Sequence, residues 1–451
     1  MTAEREEFRV YVGIDWASEA HQVCVLDARG KVLSERQVPH DAQALQELAT
    51  ALIAYAGGEA AAVAVAIEVP HGAVVETFLE RGLVVFALNP KQLDRFRDRF
   101  TVAGAKDDRR DAHVLADAVR TDRRAFTRVR LPAAIVLELR EETRIHDELR
   151  TEWSRATNRL RQQLVRFYPQ VLELGDVEEP WLWALYELAP TPAAAARLRR
   201  ARLTQLLRTY RIRRHTADSV LAVLRTPALT VAPGTVAAAQ RHIGLLLEQV
   251  RLLHRQRQAC ERRLATLLTR EELAAVPSDA GPRREHSDLE ILLSLPGAGN
   301  LVVATLLAEA GEALTDRDYT TLRTRSGVAP VTRRSGKKLT VLMRYACNQH
   351  LRNACHYWAQ GAIRWAPHSQ QHYARLRAKG HRHGRALRGV TDRLEAMLIA
   401  MLRTDTLYDP TRHEAPRVDR SLIPCAPCPK HSKTPLVSTW EVCVRGNDKF
   451  A

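Results

Sequence analysis

The chain has 451 residues, with 68 Lys and Arg against 52 Asp and Glu, which leaves a formal net charge of +16 at pH 7. At 45% hydrophobic it can bury substantial cores, which excludes a wholly disordered basic protein and suggests two or three domains. The surplus charge is mostly arginine, whose planar fork suits phosphate, so the expected partner is nucleic acid ahead of an anionic membrane surface.

The opening MTAEREEFRV has no basic segment leading into an apolar one, so no signal peptide is expected. FRVYVGID then places Phe8, Val10, Val12 and Ile14 on one strand face, and QVCVLDARGKVLSERQV reads as a hairpin turned near Asp27 to Gly30. An amphipathic helix carrying Leu45, Leu48 and Leu52 follows. Next come the strand AAVAVAI (61–67), a helix over 73–81, the strand LVVFALNP and a further helix. Three strands in hairpin order, then helix, strand, helix, strand and helix, is the order of a ribonuclease H-like mixed sheet covered by helices.

Asp15 ends the first strand and Glu68 ends another, so both carboxylates can converge where central strands lie side by side. Asp108 and Asp111, in AKDDRRDAHVLADAVR, are three apart and share a helical face. Four carboxylates aimed at one point repel unless a divalent cation neutralises them, and Mg²⁺ takes oxygen ligands of this kind. Two such ions can activate an attacking oxygen and steady a leaving one in phosphodiester cleavage. Taken singly, an Asp after a strand also suits a turn or cap, and Asp-x-x-Asp amid arginines also suits a solvated helix face. Residues 91–130 hold 12 Lys and Arg against 7 Asp; Arg95, Arg97, Arg99, Lys106, Arg109, Arg110, Arg123 and Arg124 surround the proposed acids. Such a basic rim would hold a nucleic-acid backbone, and it would equally keep a surface soluble.

Residues 134–167 read as one long helix. A second, from 233 to 268, sets Ile243, Leu246, Val250, Leu253, Arg257, Cys260, Leu264 and Leu267 at alternating steps of three and four. That is a heptad seam with one charged interruption, which suggests a coiled coil and self-association, or else packing of the two helices within one chain. Between them, RLRRARLTQLLRTYRIRRH (197–215) interleaves leucines with arginines, as in a helix with one side on a nucleic-acid backbone.

From 291, ILLSLPGAGNLVVATLLAEAG resembles a helix-hairpin-helix, with glycines that let turn amides approach a phosphate or simply join two packed helices. TRSGVAPVTRRSGKK (324–338) reads as a basic loop with Ser335-Gly336 among Arg333, Arg334, Lys337 and Lys338. Its own residues supply no acid or base partner for that serine. Residues 409–451 include six prolines and the sole Cys-x-x-Cys, at Cys425 and Cys428, and read as a disordered tail. Seven scattered cysteines speak against a secreted disulfide framework and for reducing cytoplasm, and no apolar run is long enough to span a membrane.

The ordered set GID with Asp15, AIEVP with Glu68, NPKQLDRF, KDDRRDA, the long helices, LPGAG, GVAPVTRRSGKK and NQHLR resembles DEDD transposases of the IS one-ten insertion-sequence family, relatives of the Piv-type DNA invertases. The similarity covers roughly residues 9–408. It implies a RuvC-like, Mg²⁺-dependent site at Asp15, Glu68, Asp108 and Asp111, and Ser335 as a second catalytic element forming a 5′-phosphoserine. Asp107 offers another register, but only Asp108 keeps Asp-x-x-Asp spacing to Asp111. The resemblance also implies double-stranded donor and target DNA, a guiding bridge RNA, and a homo-oligomer, dimer or tetramer. The resulting division is a RuvC-like DEDD domain (8–130), a helical coiled-coil and linker region (131–285), a small, mainly helical C-terminal transposase domain (286–408) and the tail. A junction-resolving nuclease or invertase with the same acids, and a non-catalytic nucleic-acid-binding protein, are the competing readings.

Overall fold

The computed structural model describes residues 8–100, 107–130, 132–270, 273, 285–336 and 338–413. Two compact units divide the chain, residues 1–277 and 278–451. Lys106, Lys337, the Cys425/Cys428 pair and the tail from 414 lie outside the described residues.

The first unit opens with β1 (Val10–Asp15), β2 (Ala20–Asp27) and β3 (Val32–Pro39), an antiparallel meander. After α1 (Ala42–Tyr55) come β4 (Val63–Ile67), α2 (Ala73–Glu80), β5 (Val84–Ala87), α3 (Pro90–Arg97), α4 (Asp108–Asp122) and β6 (Thr127–Arg128). The sheet order is β3-β2-β1-β4-β5-β6, with β4 parallel to β1 and β5, and β6 antiparallel at the far edge. This is the mixed, ribonuclease H-like arrangement expected from the chain order.

Alternation in the strands builds two cores. Val10, Val12 and Ile14 face α1 and α2, whereas Tyr11, Ala64, Ala66 and Phe86 face α4. Gly13 belongs to the α4 face, and a Cβ there would run into the Ala112 carbonyl and the Ala116 amide, with Leu115 Cβ at 2.8 Å. Its missing side chain is what lets α4 lie directly on the central strand.

The remainder of this unit is helical. α5 (Ala134–Phe167) is followed by α6 (Gln170–Glu173), α7 (Pro180–Leu188), α8 (Pro192–Ala196), α9 (Arg200–Thr209), α10 (Ala217–Leu224) and α11 (Pro233–Leu268). α11 packs along α5, and Ile243, Leu246, Val250 and Leu253 share one buried core with Trp153, Leu160, Leu164 and Trp181. The heptad seam is therefore satisfied within the chain, which is the second of the two readings its spacing allowed. On α9, Leu203, Leu206 and Leu207 enter the same core while Arg200, Arg202 and Arg208 remain exposed.

The second unit holds α12 (Asp288–Ser294), α13 (Asn300–Thr315), α14 (Tyr319–Arg325), α15 (Gln349–Trp365), α16 (Pro367–Ala378) and α17 (His383–Thr404). A two-stranded antiparallel sheet, β7 (Val331–Ser335) and β8 (Lys338–Leu342), joins α14 to α15. The segment expected as a loop is thus a hairpin. Its strands escaped the sequence reading because both faces are largely exposed, so no buried-polar alternation marks them. No described helix is long and apolar enough to cross a membrane.

Candidate active site

Asp15 is the last residue of β1 and has the same strand parity as Gly13, so it leaves the sheet on the α4 side. Ile14 pairs with Ile67 in the parallel ladder, so Glu68 follows β4 directly beside Asp15 at the same end of the sheet. Asp108 and Asp111 both lie in the first turn of α4, where the helix dipole favours negative charge. Asp107 caps that helix, accepting from the Arg109 amide at 3.3 Å. Asp108 is exposed, whereas Asp111 is only 2% exposed.

Asp111 is held by Arg97, the last residue of α3. Arg97 Nε donates to Asp111 Oδ1 at 2.5 Å and Nη2 donates to Oδ2 at 2.7 Å, a bidentate fork. The third arm, Nη1, donates to Asp94 Oδ1 at 2.5 Å. The Asp111 hydrogen bonds raise the Arg97 pKa above its usual value against the cost of burial, and the charges of Asp111, Asp94 and Glu68 add to the rise. Glu68, Arg97 and Asp111 thus form one electrostatic unit. Sequence reading grouped Arg97 with the basic rim; its pairing spans 14 residues and two helices, and spacing gives no sign of it.

The donors themselves suit Mg²⁺ by their chemistry, being hard carboxylate oxygens at strand ends and a helix start. The side-chain arrangement gives both Asp111 oxygens to Arg97, and among the described residues no three Asp, Glu, His or Cys side chains are grouped to hold a metal ion.

Behind Asp15, the buried His21 accepts from the Ala17 amide through Nδ1 at 3.3 Å and has Nε2 2.8 Å from His40 Nδ1. Burial first, then His40, lowers the His21 pKa, which favours the neutral ring that such a bond requires. This pair fixes the loop that follows Asp15, and the half-exposed Trp16 leans on both rings. The sequence reading missed it.

Among the rim residues, Arg95 and Arg109 are exposed, Arg110 is half-buried, and Arg99 reaches Asp122 at 3.5 Å. In the second unit Ser335 closes the hairpin opposite Lys338, with Gly336 at φ +55° opening the turn. Ser335, Arg333, Arg334 and Lys338 are all exposed, so the serine hydroxyl stands on a basic tip. Ser326, the other Ser-Gly serine, is 1% exposed. In the Pro296-Gly297-Ala298-Gly299 turn, Gly297 has φ +77° and meets α15, where a Cβ would stand 2.5 Å from the Gly361 carbonyl carbon. That glycine serves helix packing rather than phosphate approach, and Trp358 Nε1 pins the turn by donating to the Pro296 carbonyl at 3.2 Å.

A mixed sheet of this order, with acids at the ends of neighbouring parallel strands, defines the class as ribonuclease H-like. A DEDD-type transposase model matches residues 12–169, and a model described as "Transposase IS116/IS110/IS902 family" matches residues 289–374. The Streptomyces coelicolor protein named "Mini-circle putative transposase for IS117" is 32% identical over 423 residues, spanning 91% of this chain and 98% of that one. "Putative transposase y4uE" of Sinorhizobium fredii is 51% identical over 209 residues, which are 46% of this chain and 58% of the relative. The "Insertion element IS110 uncharacterized 43.6 kDa protein" of Streptomyces coelicolor is 28% identical over 414 residues, 90% and 97% of the two chains. The chain belongs to the IS110/IS116/IS902 family of DEDD-type insertion-sequence transposases, which makes DNA its partner.

Proposed function

We propose that this transposase cuts and rejoins double-stranded donor and target DNA with Asp15, Glu68, Asp108 and Asp111 as a Mg²⁺ site and Ser335 as nucleophile, guided by a bridge RNA. The observation that carries the reading is the placement of Asp15 and Glu68 at one end of adjacent parallel strands, with the acidic first turn of α4 packed across β1.

Each residue then has a chemical task. The Ser335 oxygen attacks the scissile phosphorus, an O–P bond forms, the bond to the 3′ oxygen breaks, and the serine proton ends on that 3′ hydroxyl. Rejoining reverses the exchange: a 3′ hydroxyl attacks the phosphoserine and restores the serine, so the phosphodiester is conserved without hydrolysis. Arg333, Arg334 and Lys338 draw the backbone to the hairpin tip, and Lys337 adds to this basic run in the sequence. Arg95, Arg99, Lys106, Arg109 and Arg110 hold flanking phosphates. Mg²⁺, when bound, would stabilise charge on the attacking and leaving oxygens. The guide RNA and assembly as a dimer or tetramer rest on the family resemblance, and the +16 net charge suits both nucleic acids.

The test is a denaturing gel of the full chain incubated with labelled DNA, its guide RNA and Mg²⁺. A covalent protein–DNA adduct is expected, absent from S335A, while S335A still binds DNA. Normal recombination by S335A overturns the nucleophile assignment. Hydrolysed DNA without adduct in the unsubstituted protein favours the junction-nuclease reading instead.

A further inference from the structure

Asp111 is nearly sealed from solvent, and both of its oxygens face one guanidinium. Each nitrogen of that guanidinium meets a carboxylate, with Asp94 on its remaining arm and the Glu68 charge acting on it as well. A fork-to-fork pair of this kind places one positive charge where neighbouring acids would otherwise repel, the electrostatic task of a bound cation.

We infer that Arg97 is an internal counter-cation of the carboxylate centre, competing with the divalent metal for Asp111, so that metal loading requires the Arg97 fork to release Asp111 and α3 to loosen from α4. The inference rests on the proposed Mg²⁺ site and adds to it a residue that sets how tightly that site takes metal. Two full positive charges cannot share one buried carboxylate without mutual repulsion, so occupancy by the guanidinium and by the metal are linked, each weakening the other by the same factor. Asp94 belongs to the device, because it anchors the arm of Arg97 that does not touch Asp111. Apo protein is thereby kept folded with its acids neutralised, and metal has to displace a fixed partner rather than enter an open cage.

The test is Mn²⁺ binding to the full chain, read by electron paramagnetic resonance, with folding checked by circular dichroism. Arg97→Gln should bind Mn²⁺ at least about fivefold more tightly than the unsubstituted chain, the low end of usual site-to-site coupling. Asp94→Asn, which loosens Arg97 without touching Asp111, should shift affinity in the same direction by less. Hydrogen exchange in α3 of the unsubstituted chain should rise on adding Mn²⁺. Unchanged or weaker Mn²⁺ binding in folded R97Q, or protection of α3 by metal, would make Arg97 a supporting partner of Asp111 and overturn the competition. Should R97Q not fold, D94N and the α3 exchange decide the matter. Asp15→Asn and Glu68→Gln separate the two levels: Mn²⁺ binding indifferent to both sinks the metal site itself, whereas binding lost in them but unchanged in R97Q and D94N sinks only the role of Arg97.

Discussion

Gly13 and Ala112 meet backbone to backbone: the Gly13 Cα faces the Ala112 carbonyl so closely that no Cβ fits between β1 and α4. Gly13→Ala therefore has to push α4 off the central strand, and with it the turn that carries Asp108 and Asp111. Overpacking commonly costs about 1–3 kcal/mol, and rigid backbone on both sides puts this site at or above the top of that range. Thermal unfolding of G13A should show a clear loss of stability in the first unit, and DNA cleavage should fall with it. A G13A protein as stable and active as its parent would mean that α4 is not fixed by this contact.

The neighbouring acids at 107, 108 and 111 should separate cleanly. Asp107→Ala removes a helix cap, a change that typically costs about 1 kcal/mol, with cleavage largely kept. Asp108→Asn, at an exposed position, should leave stability unchanged and abolish cleavage while DNA binding persists. Asp111→Asn weakens the fork but leaves Arg97 its Asp94 partner, so it should destabilise by less than the roughly 3–5 kcal/mol of a fully broken buried pair, as well as stopping cleavage. Gel cleavage assays run beside urea unfolding check all three. Cleavage by D108N together with its loss in D107N would put the reactive acid at 107.

These residues show why some of the fold could be read in advance and some could not. The unbroken apolar runs in VYVGID and VAVAI follow from burial on both sheet faces, so the strands and the acids at their ends stood out. The stripe of α11 was equally plain, but periodicity gives a helix face and not the identity of what covers it; the covering helix is α5 of the same chain. Arg97 and Asp111 are linked only through three-dimensional packing, and the arginine sits in a run of similar residues that hides it. The β7–β8 hairpin left no apolar alternation because Leu339 and Val341 are exposed at 62% and 57%, alongside exposed Arg333 and Arg334.

Burial of Leu246 and Leu253 against α5 changes what polar substitutions there should do. Each is at most 8% exposed within the chain, so Leu246→Asn and Leu253→Asn open the core that holds Trp153 and Trp181. Core truncation of a leucine costs about 2–5 kcal/mol, and an unpaired amide adds to it. Circular dichroism during heating should show an early loss of helix for either variant. A drop in mass by light scattering with helical stability intact would instead assign the seam to contact between copies.

Glu395 of α17 supplies a test by pH. Its side chain is fully buried beside Cys355 of α15 and Ser326 at the end of α14, and burial pushes its carboxyl up to about 7 from an ordinary 4.5. Asp392, one turn earlier, adds to the rise; Arg323 and the neighbouring Ser326 hydroxyl and Cys355 thiol oppose it. Between those two values the folded chain keeps a proton that the unfolded chain has lost, so stability falls as pH increases through that window and levels off above it. The full effect is at most about 3.5 kcal/mol, from roughly 1.4 kcal/mol per pKa unit at a site without solvent screening. Glu395→Gln cannot ionise and should flatten this fall, making the second unit more stable than its parent at about pH 8 and similar to it at about pH 5. Urea series of the full chain at both pH values, with pulsed hydrogen exchange of α17 peptides as the readout, measure the difference. Parallel pH dependence in E395Q and its parent would show that Glu395 is ionised in the folded state, and that its buried surroundings stabilise the charge after all.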